Sequence, residues 1–160
     1  MGMRLSLVEI HPDEFAGLAQ DPESLARLLL GPADRTRLDL DKQWHAIHFL
    51  LTGDAWTTEG EFASVIFGGS EFGPDLSYGA ARLLTPEQVR ENAAKLQTPP
   101  VEDLRARYDP VAMSAAQIYP DVWKREGNAA LERLLEAFFK LRDFYAQAGA
   151  RGNSVILAVL

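Results

Sequence analysis

NAALERLLEAFFKLRDFYAQAGARGNSVILAVL, residues 128–160, decides the class of the fold. Within it Leu131, Leu134, Phe138, Leu141, Tyr145 and Ala148 recur at alternating steps of three and four, which places them along one side of a helix. The period predicts a helix over 128–148, ended by Gly149 and Gly152. Ser154–Leu160 then switches to a β-branched apolar run, the mark of a buried strand, and such a strand needs a sheet to join. Working outward, Met3–Ile10 alternates, with Leu5 and Leu7 on one face and Arg4, Ser6 and Val8 on the other, and reads as an edge or half-buried strand. Tyr78–Leu84 supplies a middle strand. His11-Pro12-Asp13-Glu14 and Asp21-Pro22-Glu23 each open a helix, the second stopped by Gly31-Pro32. Thr85-Pro86-Glu87-Gln88 is a capping box opening another. Trp44, Ile47, His48 and Leu51 fall at helical spacing, with Gly53 as the stop. Short helices are expected near 102–108 and 111–117. Arg35–Asp39 reads as a polar connection, and Gly68–Pro74, with its glycines and proline, as irregular chain. The whole is one α+β domain over 1–160: a small mixed or antiparallel sheet of N-terminal, middle and C-terminal strands, packed against several helices.

The chain has 160 residues, 47% hydrophobic and 24% charged, a composition that folds as one globular domain. A net charge of −7 argues against nucleic acid or an anionic membrane as partner, since both want a basic face. The absence of cysteine removes disulfides, thiolate metal sites and a cysteine nucleophile. The run Val155–Leu160 is far short of the roughly 20 apolar residues that span a bilayer. The opening Met1–Ile10 holds one Arg and a glutamate in an alternating stretch, unlike a secretory leader, so the cytoplasm is the expected location. Arg outnumbers Lys 12 to 4 and alanine and leucine abound, as in proteins of GC-rich bacteria.

Candidate chemistry is sparse. Asp41, His45 and His48 could share a helix face as a two-histidine, one-carboxylate metal site, but the pattern is not the H-E-x-x-H of zinc peptidases. Packing explains these residues better. His48 lies on the apolar Trp44–Leu51 stripe and reads as a hydrogen-bonded, partly buried histidine, and His45 lies nearer the polar side; no metal is assigned. Gly68-Gly69-x-x-x-Gly73 lacks the lysine of a P-loop and has acids nearby, so a structural turn is favoured over a phosphate cradle. No carboxylate pair or G-x-S-x-G elbow stands out, and no cofactor is implied. Trp56, in a threonine-rich loop, would suit an interaction surface if exposed.

Several blocks together resemble the YfbM-like bacterial proteins. They are Leu40-Asp41-Lys42-x-Trp44-x-x-x-His48-Phe49-Leu50-Leu51-Thr52-Gly53, Ile66-Phe67-Gly68-Gly69, Tyr78-Gly79-x-x-Arg82, Leu84-Thr85-Pro86-x-x-Val89 and Ile118-Tyr119-Pro120. The resemblance covers essentially the whole chain. It implies a single α+β domain and carries no activity, because the family is one of unknown function. Trp44, His48 and Thr52 follow one helix ridge at i, i+4, i+8. With the Gly68-Gly69 turn, Tyr119, Asp41 and Lys42 they make a candidate ligand pocket. The competing account is local: Asp41 pairs with Lys42, while His48 and Thr52 bond backbone carbonyls. The leading expectation is a non-enzymatic binding or protein-interaction module with a protein or small-molecule partner. The alternative is a small enzyme or ligand-binding protein with His48 at its centre, assisted by Asp41, Lys42 or Tyr119.

Overall fold

In a computed structural model of the chain, residues 2–30 and 36–160 are described. The expected stop at Gly31-Pro32 and the start of the 35–39 connection lie outside them. β1 (Leu5–Ile10) leads through a 3-10 turn (Pro12–Glu14) into α1 (Phe15–Gln20) and α2 (Pro22–Leu30). After β2 (Arg37–Asp39) come α3 (Trp44–Thr52), α4 (Ser64–Phe67) and the hairpin of β3 (Ser70–Asp75) and β4 (Ala80–Leu84). A run of helices follows: α5 (Pro86–Leu96), α6 (Val101–Arg107), α7 (Pro110–Ala115), α8 (Trp123–Glu126) and the long α9 (Asn128–Ala150). The chain closes with β5 (Ser154–Val159).

The strands form one sheet in the order β2-β1-β5-β4-β3, and every neighbour pair is antiparallel. The two ends of the chain therefore pair, Leu5 opposite Val159 and Ile10 opposite Ser154, with the middle strand beside them. This is the α+β fold that the helical and strand periods predict.

Each face of the sheet carries its own core. Leu5, Leu7, Leu84, Val155 and Leu157 face the larger one, with α3, α5 and α9 packed over them. Val8, Ile10, Ala81, Ile156 and Ala158 face the smaller one, covered by Leu25 and Leu29 of α2. Burial of each leucine, isoleucine or valine among them contributes about 1.5–3 kcal/mol. The second layer is why β1 is buried along its whole length and sits inside the sheet, where alternation alone suggested an edge. The α9 seam is buried as its spacing predicts, and Leu135 and Phe144 widen it.

Two stretches read as irregular are strands. Residues 37–39 form the short edge strand β2. Ser70–Asp75 is the opposite edge, its register shifting between Phe72 and Asp75 so that Gly73-Pro74 sits in the irregularity. An edge strand tolerates proline because one side of its backbone pairs with nothing. Local signals held where local chemistry decides. Thr85 Oγ1 accepts from the Gln88 N–H while Gln88 Oε1 accepts from the Thr85 N–H, closing the capping box. Gly53 caps α3 in the left-handed region with φ 77°.

Candidate functional site

The site is built around the C-terminal turn of α3. Gly53 reverses the chain, and Asp54 Oδ1 accepts from the N–H groups of Trp56 and Thr57, both at 2.8 Å, fixing a turn that carries Trp56. The Thr52 hydroxyl donates to the His48 carbonyl at 2.8 Å and takes the Asp54 N–H at 3.2 Å, so it belongs to this cap. His45 braces the loop from beneath. Its Nδ1 accepts from the Tyr119 N–H at 2.8 Å, which leaves the proton on Nε2 to be donated to the Ala55 carbonyl at 2.9 Å. Burial lowers the pKa of His45, and a second proton on Nδ1 would point at the Tyr119 N–H. The ring is thus a neutral strut between two backbone segments.

His48 has the opposite character. It is fully buried at 0% exposure, and neither ring nitrogen has a hydrogen-bond partner among the described residues. Its ring centroid lies 4.4 Å from that of Phe67. Burial, with His45 adding to it, pushes its pKa down to about 4, against the pull of Asp54 and the Thr57 backbone. The sequence reading placed His48 in the apolar layer, where it lies, but His45, expected near the polar side, is sealed as well and doubly bonded, because the loop after Gly53 folds back over that side of α3. His48, expected to be hydrogen-bonded, has only the pull of the Thr57 backbone and no bond of good geometry among the described residues.

Above these histidines an aromatic cleft of about 310 Å³ opens to solvent. Its floor is Trp44, with only 2% exposed, whose Nε1–H donates to the Met3 carbonyl at 3.1 Å. Phe67 stands edge-on to Trp44 at 6.0 Å, and Trp56 lies nearly parallel to Phe67 at 5.8 Å. Trp56 also covers the His45 ring at 4.2 Å, yet 58% of it is exposed. Tyr78, 53% exposed, lines the cleft from the β3–β4 turn, where Asp75 Oδ1 accepts the Ser77 N–H at 2.7 Å.

Two charged residues complete the lining, Arg82 from β4 and Glu71 from β3. Arg82 donates from Nη2 to the Ile66 carbonyl at 2.8 Å, capping α4, and its guanidinium lies 5.6 Å from the Phe67 centroid. Burial works against its charge, partly offset by Tyr145 and Glu71. Behind the cleft a polar clamp holds α4 in place. Ser64 Oγ donates to Asn92 Oδ1 at 2.5 Å, and the buried Tyr145 hydroxyl donates to the Val65 carbonyl at 2.6 Å.

The residues expected to form one pocket are dispersed around this cleft. Trp44 lines it. Tyr119 sits behind Trp44 at 6.4 Å, and its hydroxyl accepts from the Met3 N–H at 3.1 Å. Lys42 lies beside Gly2 and Tyr119 on the same flank. Asp41 turns away with φ 49°, joins β1 through its carbonyl to the Leu5 N–H, and approaches Arg4 at 3.6 Å. Gly68 and Gly69 serve close packing: a Cβ on Gly68 would fall 2.5 Å from the Ser64 carbonyl, and one on Gly69 2.7 Å from that of Leu83. No group of three or more His, Asp or Glu placed to hold a metal occurs among the described residues. Sequence reasoning passed over Phe67, Glu71, Tyr78 and Arg82 as site residues. The signal for three of them lay in the blocks Ile66-Phe67-Gly68-Gly69 and Tyr78-Gly79-x-x-Arg82.

Comparison with known proteins bears on the fold. A crystal structure described as that of a protein of unknown function, YfbM from Escherichia coli, is similar at a TM-score of 0.81 and 20% identity, covering 99% of this chain and 100% of that one. None of the curated proteins matches. No helix among the described residues is long and apolar enough to cross a membrane. The family model for the domain of unknown function DUF1877 matches residues 1–158, and the chain belongs to that family.

Proposed function

We propose that the protein is a non-catalytic binding module whose ligand enters the cleft between the Trp56 loop and the β3–β4 hairpin. The observation that carries this reading is the pair of exposed aromatics, Trp56 and Tyr78, lining one cavity that is floored by Trp44 and Phe67. Large apolar rings left in water at the mouth of a concave site are what a ligand covers. A volume of about 310 Å³ lies at the low end for small-molecule sites, roughly 300–1,000 Å³, so the ligand is compact. Structural bracing by His45 and Asp54 gives the loop a fixed shape before binding, which lowers the ordering cost of recognition. The enzymatic alternative centred on His48 has less support, because a general base must reach the substrate proton and this ring is sealed from solvent.

The test uses the three tryptophan indole N–H resonances of the 15N-labelled protein, titrated with a library of small aromatic fragments. The expected result is that binding fragments move the Trp56 and Trp44 signals and leave Trp123 still, since Trp123 is buried and bonded to the Ile118 carbonyl at 2.8 Å. Trp56→Ala should abolish the Trp44 response while leaving thermal stability within about 1 kcal/mol, as for an exposed side chain. A library that never moves Trp56 refutes the reading.

A further inference from the structure

Building on the binding reading above, we propose that the ligand is a free aromatic α-amino acid, bound as its zwitterion. Arg82 takes the carboxylate, Glu71 takes the ammonium, and the aromatic ring lies against Trp56 and Tyr78 over the Trp44–Phe67 floor. The first observation is the register: Glu71 stands directly opposite Arg82 across β3 and β4. Side chains opposite one another in an antiparallel pair leave the same face of the sheet, their Cβ atoms about 5 Å apart. One cation and one anion therefore line a cleft whose other side chains are largely apolar.

The second observation is that Glu71 favours the Arg82 charge through space without closing an ion pair on it. Among the described residues Arg82 has no carboxylate within ion-pair distance, and its assigned partners are the Ile66 carbonyl and the Phe67 ring. A guanidinium offers five N–H donors, so an edge remains for a carboxylate. Glu71 likewise has no ion pair and no hydrogen bond from a side chain among the described residues.

The chemistry of the ligand follows from what each alternative leaves unbalanced. A simple aromatic carboxylate would satisfy Arg82 and meet repulsion from Glu71. A simple aromatic amine would satisfy Glu71 and meet repulsion from Arg82. An α-amino acid holds its two charges on one carbon, matching two opposite groups set side by side. The aromatic walls select a flat side chain, since stacked or edge-on ring pairs add about 0.5–1.5 kcal/mol beyond burial. The cavity, about 310 Å³, suits one amino acid and excludes a dinucleotide or a folded peptide.

The experiment is calorimetric titration of the full chain with L-phenylalanine, hydrocinnamate, phenethylamine and L-alanine. These keep both charges and the ring, or remove the ammonium, the carboxylate or the ring in turn. L-phenylalanine should bind, and each of the other three should bind at least tenfold more weakly. Glu71→Gln should weaken L-phenylalanine tenfold or more while leaving hydrocinnamate as tight or tighter. Arg82→Met should do the converse for phenethylamine. Because Arg82 also caps α4, the ligand series on the unaltered protein and the exposed Glu71 variant keep the test decisive if that variant fails to fold. Hydrocinnamate or phenethylamine binding as tightly as L-phenylalanine overturns the zwitterion assignment. So does silence from all four ligands when other fragments still move Trp56, an outcome that leaves the binding reading standing. Silence from every fragment would overturn both.

Discussion

His48→Leu isolates the energetic role of the buried imidazole. The ring is 0% exposed, both nitrogens lack partners among the described residues, and Phe67 lies 4.4 Å away. Leaving a buried polar group unsatisfied costs about 1–3 kcal/mol, so leucine, of similar bulk and without polar atoms, should leave stability at pH 7.5 unchanged or raise it by up to about 2 kcal/mol. The pH dependence sharpens the prediction. The folded ring has its pKa lowered from 6.5 to about 4, so below pH 6.5 the unfolded chain binds a proton that the folded chain refuses. Stability on this account is full above pH 6.5, declines as the pH falls toward 4, and declines no further below it. At pH 4.5 the loss is on the order of 2–3 kcal/mol from this one group. Urea unfolding followed by circular dichroism at pH 7.5 and 4.5, on both proteins, measures it. Carboxylates titrate in both proteins alike, so the wild type should lose roughly 2–3 kcal/mol more than His48→Leu over that interval. Equal losses in the two proteins, or a His48 ring that titrates near 6.5 by NMR, would refute the reasoning.

Three further substitutions test the scaffold of the site. His45→Ala removes partners from the Tyr119 N–H and the Ala55 carbonyl and opens a cavity under Trp56; it should cost more than about 3 kcal/mol in urea unfolding and red-shift the Trp56 emission. Gly53→Ala and Gly69→Ala form a matched pair, with φ of 77° and 90°, but only at Gly69 would the new Cβ strike backbone, 2.7 Å from the Leu83 carbonyl. The Gly53 variant should lose about 1 kcal/mol from strain alone and the Gly69 variant at least twice that, read as the difference in denaturation midpoint.

Periodic and capping signals carried over because they are local. The α9 seam, the Thr85–Gln88 box and the Gly53 stop each rest on neighbours within one or two turns, and each stands as its spacing dictates. The pairing of the chain ends agrees with reading both as apolar strands of one sheet. The errors have a common cause in contacts distant along the chain. β1 reads as half-buried until α2 covers its second face, and Gly73-Pro74 reads as irregular until an edge position excuses the missing pairing. His45 is buried along with His48 because the loop bearing Trp56 folds back over α3, an outcome that helical phase does not encode.

The sequence by itself determined the longer helices, the strand at each end and the α+β class, since these follow from residue spacing along the chain, and its motif blocks carried the family resemblance. Only the tertiary structure decided the site. Trp44, Trp56, Phe67, Tyr78, Glu71 and Arg82 come from a helix, a loop, a helix end, a hairpin turn, an edge strand and the strand beside it, with no common period. They meet because the antiparallel register of β3 and β4 and the reversal at Gly53 bring them to one side of the sheet. Spacing describes one element at a time, and this cleft exists only where several elements close on one another.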